Sequence, residues 1–363
     1  MSDSDKILRK AYDGQRLVPS EGVSLYKEAP LSSLLFVADE LRRRLHPTNE
    51  VGWMIDRNVN ITNICFSQCR FCNFCRLAGD KDAYITTDAQ YDSKIKELFD
   101  LGGDQLLLQG GMNPSLGLSF YISLFSSLKE RWPQLKLHAL GPPEIVFLAH
   151  KEKMSVRKVL TELMAAGLDS LPGAGAEILA DRVRKYVSPA KATTEEWLDV
   201  MREAHRLNIP TSATMMFGHA ETIEERIEHL IRLRQVQDEK PEGHYGFITF
   251  IPWPFRDQGT VLAEKYGVKN NTTAADYLRL IAISRIMLDN IPNLQSSILT
   301  VGRETASITL HSGANDLGSV MIEENVVSAA GKAFRFGPEE MQDIIRMAGF
   351  TPVKRDQLYR KIQ

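Results

Sequence analysis

Four thiols within eleven residues are the densest chemistry in this chain. Cys65, Cys69 and Cys72 read C-x3-C-x2-C, and Cys75, the remaining cysteine of 363 residues, stands three positions further on. Three closely spaced thiolates suit a four-iron cluster that leaves one iron without a protein ligand. An iron left open can take a co-substrate. A second register, Cys69, Cys72 and Cys75, reads C-x2-C-x2-C. That run needs a fourth cysteine and a following proline to complete it, where Arg76-Leu77-Ala78 comes instead. Structural zinc is the rival chemistry. It draws two ligand pairs across a longer spacer, or adds histidines, and the nearest histidines here are His46 and His138. A disulfide needs an oxidising compartment that nothing else in the chain suggests.

The rest of the composition is that of a globular protein, 43% hydrophobic and 25% charged. A net charge of −2 and a pI near 6.5 exclude a broad nucleic-acid surface. The run Arg42-Arg43-Arg44 reads as the solvated face of a helix. The opening Met-Ser-Asp-Ser-Asp-Lys has no apolar core of the kind a signal peptide carries. No apolar run is long enough to span a membrane. The expectation is a cytoplasmic protein with an oxygen-sensitive cluster.

Something must hold those thiols. Strand-like segments at 57–63, 104–109, 135–140, 169–172, 210–217, 245–252 and 294–300 alternate with helical ones. Several strands are short apolar runs, as expected when both faces are covered. The helix over 88–101 stops at Gly102-Gly103. Thr193 with Glu196, and Thr222 with Glu225, form capping boxes before the helices at 197–207 and 226–237. Pro338 opens a last helix. Such alternation builds a parallel sheet with right-handed crossovers. The spacing predicts a TIM-like (β/α)8 barrel over 56–320, preceded by a helical extension over 1–55 and followed by packed helices over 321–363. The last unit is short, with a helix at 303–310 and a stub strand at 313–315, and a barrel incomplete there is the alternative.

Barrel chemistry sits at the C-terminal ends of strands. The cysteines follow the first strand, Gln109-Gly110-Gly111 the second and Pro142-Pro143-Glu144 the third. Residues 173–177 follow the fourth, Phe217-Gly218-His219 the fifth and Pro252-Trp253-Pro254-Phe255 the sixth.

Taken together, C-x3-C-x2-C after the first strand and Gly-Gly after the second resemble the radical S-adenosylmethionine (SAM) enzymes. Asn60-x-Thr62-Asn63-x-Cys65, Gly173-x-Gly175-Ala176-Glu177-Ile178-Leu179, Ala213-Thr214-Met215-Met216-Phe217-Gly218-His219 and Gly313-Ala314-Asn315-Asp316-Leu317-Gly318 are similar to motifs of their futalosine and deazaflavin branch. Phe250-Ile251-Pro252-Trp253 and Glu323-Glu324-Asn325-Val326-Val327 resemble its cyclases of menaquinone biosynthesis. The similarity runs from about Asn58 to Val327. Two positions depart from the pattern. Cys75 stands where the family carries an aromatic residue, and Arg256-Asp257 stands where it carries Gln-Pro.

The resemblance implies a 4Fe-4S cluster on Cys65, Cys69 and Cys72, and SAM as the co-substrate. It implies that the backbone at Gln109, Gly110 and Gly111 meets the methionine amine and that Glu177 takes the ribose hydroxyls. Arg182 and Arg184 are candidates for the methionine carboxylate, and Phe217, Trp253 and Phe255 for stacking on adenine or a benzoate ring. His219 is the candidate for proton transfer, and Arg57, Arg76 and Lys81 for binding the benzoate. Asn315 and Asp316 are expected at the mouth. Each has a plainer reading: turn glycines, a carboxylate capping its own helix, solvated arginines, core aromatics, a structural histidine. The implied reaction abstracts hydrogen from ribose C4′ of dehypoxanthine futalosine and closes that carbon onto the benzoate ring. A reductant such as flavodoxin or ferredoxin would supply the electron. Aminodeoxyfutalosine synthesis, the tyrosine-using step of deazaflavin synthesis, and a zinc-stapled binding protein are the alternatives.

Overall fold

The structure is a computed structural model that describes residues 2–323, 329 and 334–362. Among the described residues the strands are β1 (Glu50–Asn60), β2 (Gln105–Gln109), β3 (Lys136–Ala139), β4 (Thr211–Phe217), β5 (Phe247–Pro254), β6 (Asn293–Leu294), β7 (Asp316–Met321) and β8 (Thr351–Lys354). All their pairings are parallel. One sheet runs β3-β2-β1-β7 and another β4-β5-β6. Single parallel bridges join them: His138 to Ser170, Leu171 to Thr211, and Gln295 to Asp316. The pairings thus close a ring of eight positions, with residues 170–171 as a strand reduced to two bridges.

The helices between the strands follow from apolar spacing and caps. Thr194–Arg206 buries Trp197, Leu198, Met201 and Ala204, a stripe at helical spacing. Thr193 donates its N–H to Glu196 Oε2 at 2.8 Å and accepts from Glu196 N at 3.3 Å. Removing such a cap costs about 1 kcal/mol. Among the described residues no helix is long and apolar enough to cross a membrane.

The end of the chain differs from expectation. Residues 294–300 are not a strand. β6 stops at Leu294, and the helix Ile298–Thr309 begins, broken at Gly302, whose φ is +78°. The stub strand is the six-residue β7, which starts one residue beyond it. After the helix Pro338–Met347 the chain makes β8, which pairs with Glu50–Trp53 of β1. The carboxyl-terminal segment therefore joins the sheet as well as packing on it. Pairing between residues 300 positions apart leaves no local trace in the sequence.

Candidate active site

The chain leaves β1 in a loop that returns to its own start. Thr86 N donates to Ile61 O at 2.8 Å, and Thr62 Oγ1 donates to Tyr84 O at 2.6 Å. The Asn63 amide donates to Asp82 O at 2.8 Å, and its carbonyl accepts from Tyr84 N at 2.8 Å. Both side chains are buried. Thr and Asn precede the first cysteine because short polar side chains can satisfy loop backbone that has no ladder partner. Inside this staple Cys65 N donates to Arg76 O at 3.0 Å, and Cys72 N to Cys69 O at 3.0 Å.

All four cysteines line one cavity of about 390 Å³ inside the barrel. Met112 N donates to Cys65 Sγ at 3.4 Å, and Ser67 Oγ lies 3.2 Å from Cys69 Sγ. The Cys75 thiol, backbone donors of Ser67 and Met112, and the charge of Lys191 hold the Cys65 thiol well below its usual value against its burial. Burial pushes Cys69 up to about 11 and raises Cys72. Three thiols on one stapled loop facing a cavity fit a four-iron cluster with an open iron. Among the described residues no three His, Cys, Asp or Glu side chains converge on a site for a single ion.

Gly111 is a packing requirement. A Cβ there would stand 2.1 Å from Ile64 O and 2.8 Å from Cys65 Cβ. Its absence lets the loop after β2 close on the cysteine loop, where Gly111 N donates to Thr62 O at 2.7 Å. Gln109, Gly110 and Gly111 all line the cavity, as do Glu177 and Trp253.

Glu177 is buried and takes a left-handed backbone, φ +43°. Lys191 Nζ lies 2.9 Å from its Oε1, and Arg184 Nη1 3.4 Å from its Oε2. Burial pushes the carboxyl up, but the two cations outweigh it and hold Glu177 below the usual range. Lys191 also sits 5.3 Å from the centre of the Phe71 ring and lines the cavity. The sequence reading missed it. A lysine just before the Thr193 cap has the look of an ordinary surface residue, and nothing local distinguishes it.

Other residues land elsewhere. Arg182 is exposed and holds Glu225 at 2.5 Å. Arg184 is buried but donates to the carbonyls of Ala192 and Ala176, at 2.6 to 2.9 Å. Neither lines the cavity. His219 has no exposed side-chain surface; its ring lies 2.9 Å from Met216 O and 3.3 Å from Glu221. Phe217 is buried against Tyr277, with ring centres 6.1 Å apart, and Phe255 packs on His219. Arg57 pairs with Glu97 and Glu323, and Arg76 with Asp82, while Lys81 is exposed; none of them faces the cavity. Glu324 to Val327 lie outside the described residues.

Asn315 and Asp316 are not at the mouth. Asp316 opens β7, so it lies at the N-terminal end of the barrel, paired with Arg355 at 2.6 and 2.7 Å. Asn315 holds Arg285 at 2.9 Å. At the mouth the cavity also takes in Glu144, which caps Gly141 N at 2.8 Å and whose carboxyl burial pushes up to about 7.

A closed parallel ring, three thiols at the end of its first strand and a glycine-bared loop at its second define a class that sequence comparison bears out. Residues 59–233 match the radical SAM superfamily. The chain belongs to that family and is a radical SAM enzyme. Residues 244–363 match the CofH/MqnC C-terminal region. The chain is 42% identical to cyclic dehypoxanthine futalosine synthase of Halalkalibacterium halodurans, across 99% of this chain and 95% of that one. It is 40% identical to the protein of the same name from Streptomyces coelicolor, across 99% and 89%. To aminodeoxyfutalosine synthase of Thermus thermophilus it is 38% identical, across 98% and 95%. Among solved structures it has the fold of methylornithine synthase, with a TM-score of 0.70 at 18% identity over 95% of this chain and 97% of that one. The radical SAM family implies a 4Fe-4S cluster and SAM.

Proposed function

We propose that this chain converts dehypoxanthine futalosine to its cyclic form in menaquinone biosynthesis. Ribose C4′ would lose a hydrogen atom to a 5′-deoxyadenosyl radical, the carbon would close onto the benzoate ring, and the ring would give a proton to solvent and an electron back to the oxidised cluster. The observation that carries the reading is end-to-end similarity to two synthases of that name. The cysteine loop and the cavity inside the barrel support it.

Cys65, Cys69 and Cys72 would hold the cluster, leaving Cys75 as a spare thiol. When bound, the cluster and SAM supply a 5′-deoxyadenosyl radical once a one-electron donor such as flavodoxin or ferredoxin has reduced the cluster. The backbone of Gln109, Gly110 and Gly111 receives the methionine amine. Glu177, held ionised by Lys191, accepts from the ribose hydroxyls. Lys191 takes the methionine carboxylate in place of Arg182 and Arg184, which are committed elsewhere. Trp253 offers the cavity an aromatic face. The cavity walls orient the partners. The reaction belongs in the cytoplasm, where such donors are found.

Substrate deuterated at C4′, incubated anaerobically with the loaded enzyme, SAM and reductant, should give cyclised product and singly deuterated 5′-deoxyadenosine. Cyclised product with unlabelled deoxyadenosine would rule out this abstraction. Turnover of the aminodeoxyfutalosine synthase substrate, without cyclisation, would move the chain to that sister activity.

A further inference from the structure

The interior departs from the rule for its fold. Barrels of this kind fill their inward positions with branched apolar side chains. Here β1 turns Met54, Asp56, Asn58 and Asn60 inward, and all four line the cavity together with His138 of β3. The end away from the cysteines is closed by the carboxyl-terminal segment, whose Arg355, Gln357 and Tyr359 line the same cavity. These residues are anchored. Gln105 Nε2 donates to Gln357 Oε1 at 3.0 Å, and Gln357 Nε2 lies 3.4 Å from His138 Nε2. Tyr359 donates its hydroxyl to Thr249 Oγ1 at 2.8 Å.

Among the described residues Gln105 Oε1 and, in the cavity wall, Asn58 Oδ1 are buried acceptors left over. Asn58 is 3% exposed, and its Oδ1 has no hydrogen-bond partner. A buried polar atom without a partner is costly, and in a cavity wall its natural partner is a ligand.

Charge decides which ligand. Arg355 gives two N–H groups to Asp316, one to Met54 Sδ at 3.0 Å and one to Asp356 O at 3.1 Å. Four of its five donors are therefore committed, and its charge is matched by Asp316. Asp56, which also lines the cavity, would repel an anion. His138 is kept neutral by burial. What this end offers a ligand is a set of neutral donors and acceptors plus one carboxyl, the inventory that matches hydroxyl groups.

We infer that this floor is a subsite for the uncharged, hydroxyl-bearing end of the substrate, with Asn58 and Asp56 binding sugar hydroxyls and Gln357 positioning His138 beside them. The inference rests on the cyclase reading and deepens it. The test uses loaded enzyme carrying Asn58→Leu, with Gln357→Met as a second variant on the tail. Steady-state constants are measured with dehypoxanthine futalosine and with analogues lacking the 2- or 3-hydroxyl. Iron content and SAM affinity are measured alongside.

Asn58→Leu should raise the substrate KM at least about tenfold, the loss of one good buried hydrogen bond, with iron and SAM affinity unchanged. One deoxy analogue should show that rise with the wild type and no further rise with the variant. Gln357→Met should raise KM by less, and Gln357→Glu, which keeps an acceptor for Gln105, should restore part of it. Unchanged KM in both Asn58→Leu and Gln357→Met overturns the inference. So does a loss that simply adds to that of every analogue, which marks general distortion. A wild type that does not cyclise the substrate sinks the cyclase reading and this subsite together; a cyclising wild type with indifferent variants sinks the subsite alone.

Discussion

The two ends of the barrel are built on opposite principles. At the mouth, side chains satisfy their own loop and leave reactive groups facing the cavity: Thr62 and Asn63 staple residues 61–86, and the thiols are what remains. At the floor, an ion pair and its neighbours satisfy one another across long stretches of chain, and Asn58 Oδ1 is left over. Arg355 reaches Asp316 through two bonds at 2.6 and 2.7 Å, and a Cβ on Gly52 would meet Asp316 Oδ2 at 2.2 Å. Burial pushes the Asp316 carboxyl up, Arg355 pulls it back, and Asp316 in turn keeps Arg355 charged. The short paired contacts are those of an ionised pair. Groups whose bonding is complete hold the fold, and groups left with spare capacity can do chemistry.

The sharpest way to break this contrast is at the mouth. Replacing Cys65, Cys69 or Cys72 with alanine should abolish iron and sulfide binding and SAM cleavage, while Cys75→Ala keeps both. Loss of the cluster in Cys75→Ala with retention in Cys65→Ala would establish the other register. Thermal unfolding of the metal-free variants should barely move, since no thiol there is part of the Asp316–Arg355 pair at the floor.

Asp316→Ala probes the opposite end. It strands Arg355 in a buried site, and breaking a buried pair costs about 3–5 kcal/mol. Urea denaturation of the metal-free protein should show that loss, with iron content per folded molecule unchanged. A stable variant that cannot be loaded with iron would erase the division between ends.

The smallest effect expected is a pH dependence at the mouth. The Glu144 carboxyl rises from an ordinary 4.5 to about 7 because burial disfavours its charge. The folded chain therefore holds a proton that the unfolded chain has released. The resulting stability is fully present below 4.5 and is lost as pH rises through about 7. Glu144→Gln should flatten that slope between pH 5 and 8 in denaturation curves. An unaltered slope would assign the dependence to other groups.

Much of this was legible beforehand, and the misses share a cause. Capping boxes at Thr193 and Thr222, the stop at Gly102 and the order of strand and helix are local signals, and the structure shows them. β1 carried a readable clue that went unused. Asp56, Asn58 and Asn60 alternate with Ile55, Arg57 and Val59, which marks an inner face too polar to be a packed core. Phe217 and His219 follow a strand end, and Arg182 and Arg184 offer the fork a carboxylate takes, yet neither position nor residue type says which way a side chain turns. His219 folds back onto its own strand's carbonyl at Met216. Asp316 belongs to the opposite end because its strand begins one residue beyond the end of the stub expected there.

By itself the sequence determined the cysteine motif, the family and the alternation that makes a parallel barrel, because each is written in neighbours a few residues apart. Tertiary structure alone decided that Lys191 stands against Glu177, that the last strand closes onto the first, and that Gln357 and Tyr359 form a cavity floor. Those contacts join residues 14 to more than 300 positions apart. Their energies depend on burial and exact separation, and neither quantity exists until the chain has folded.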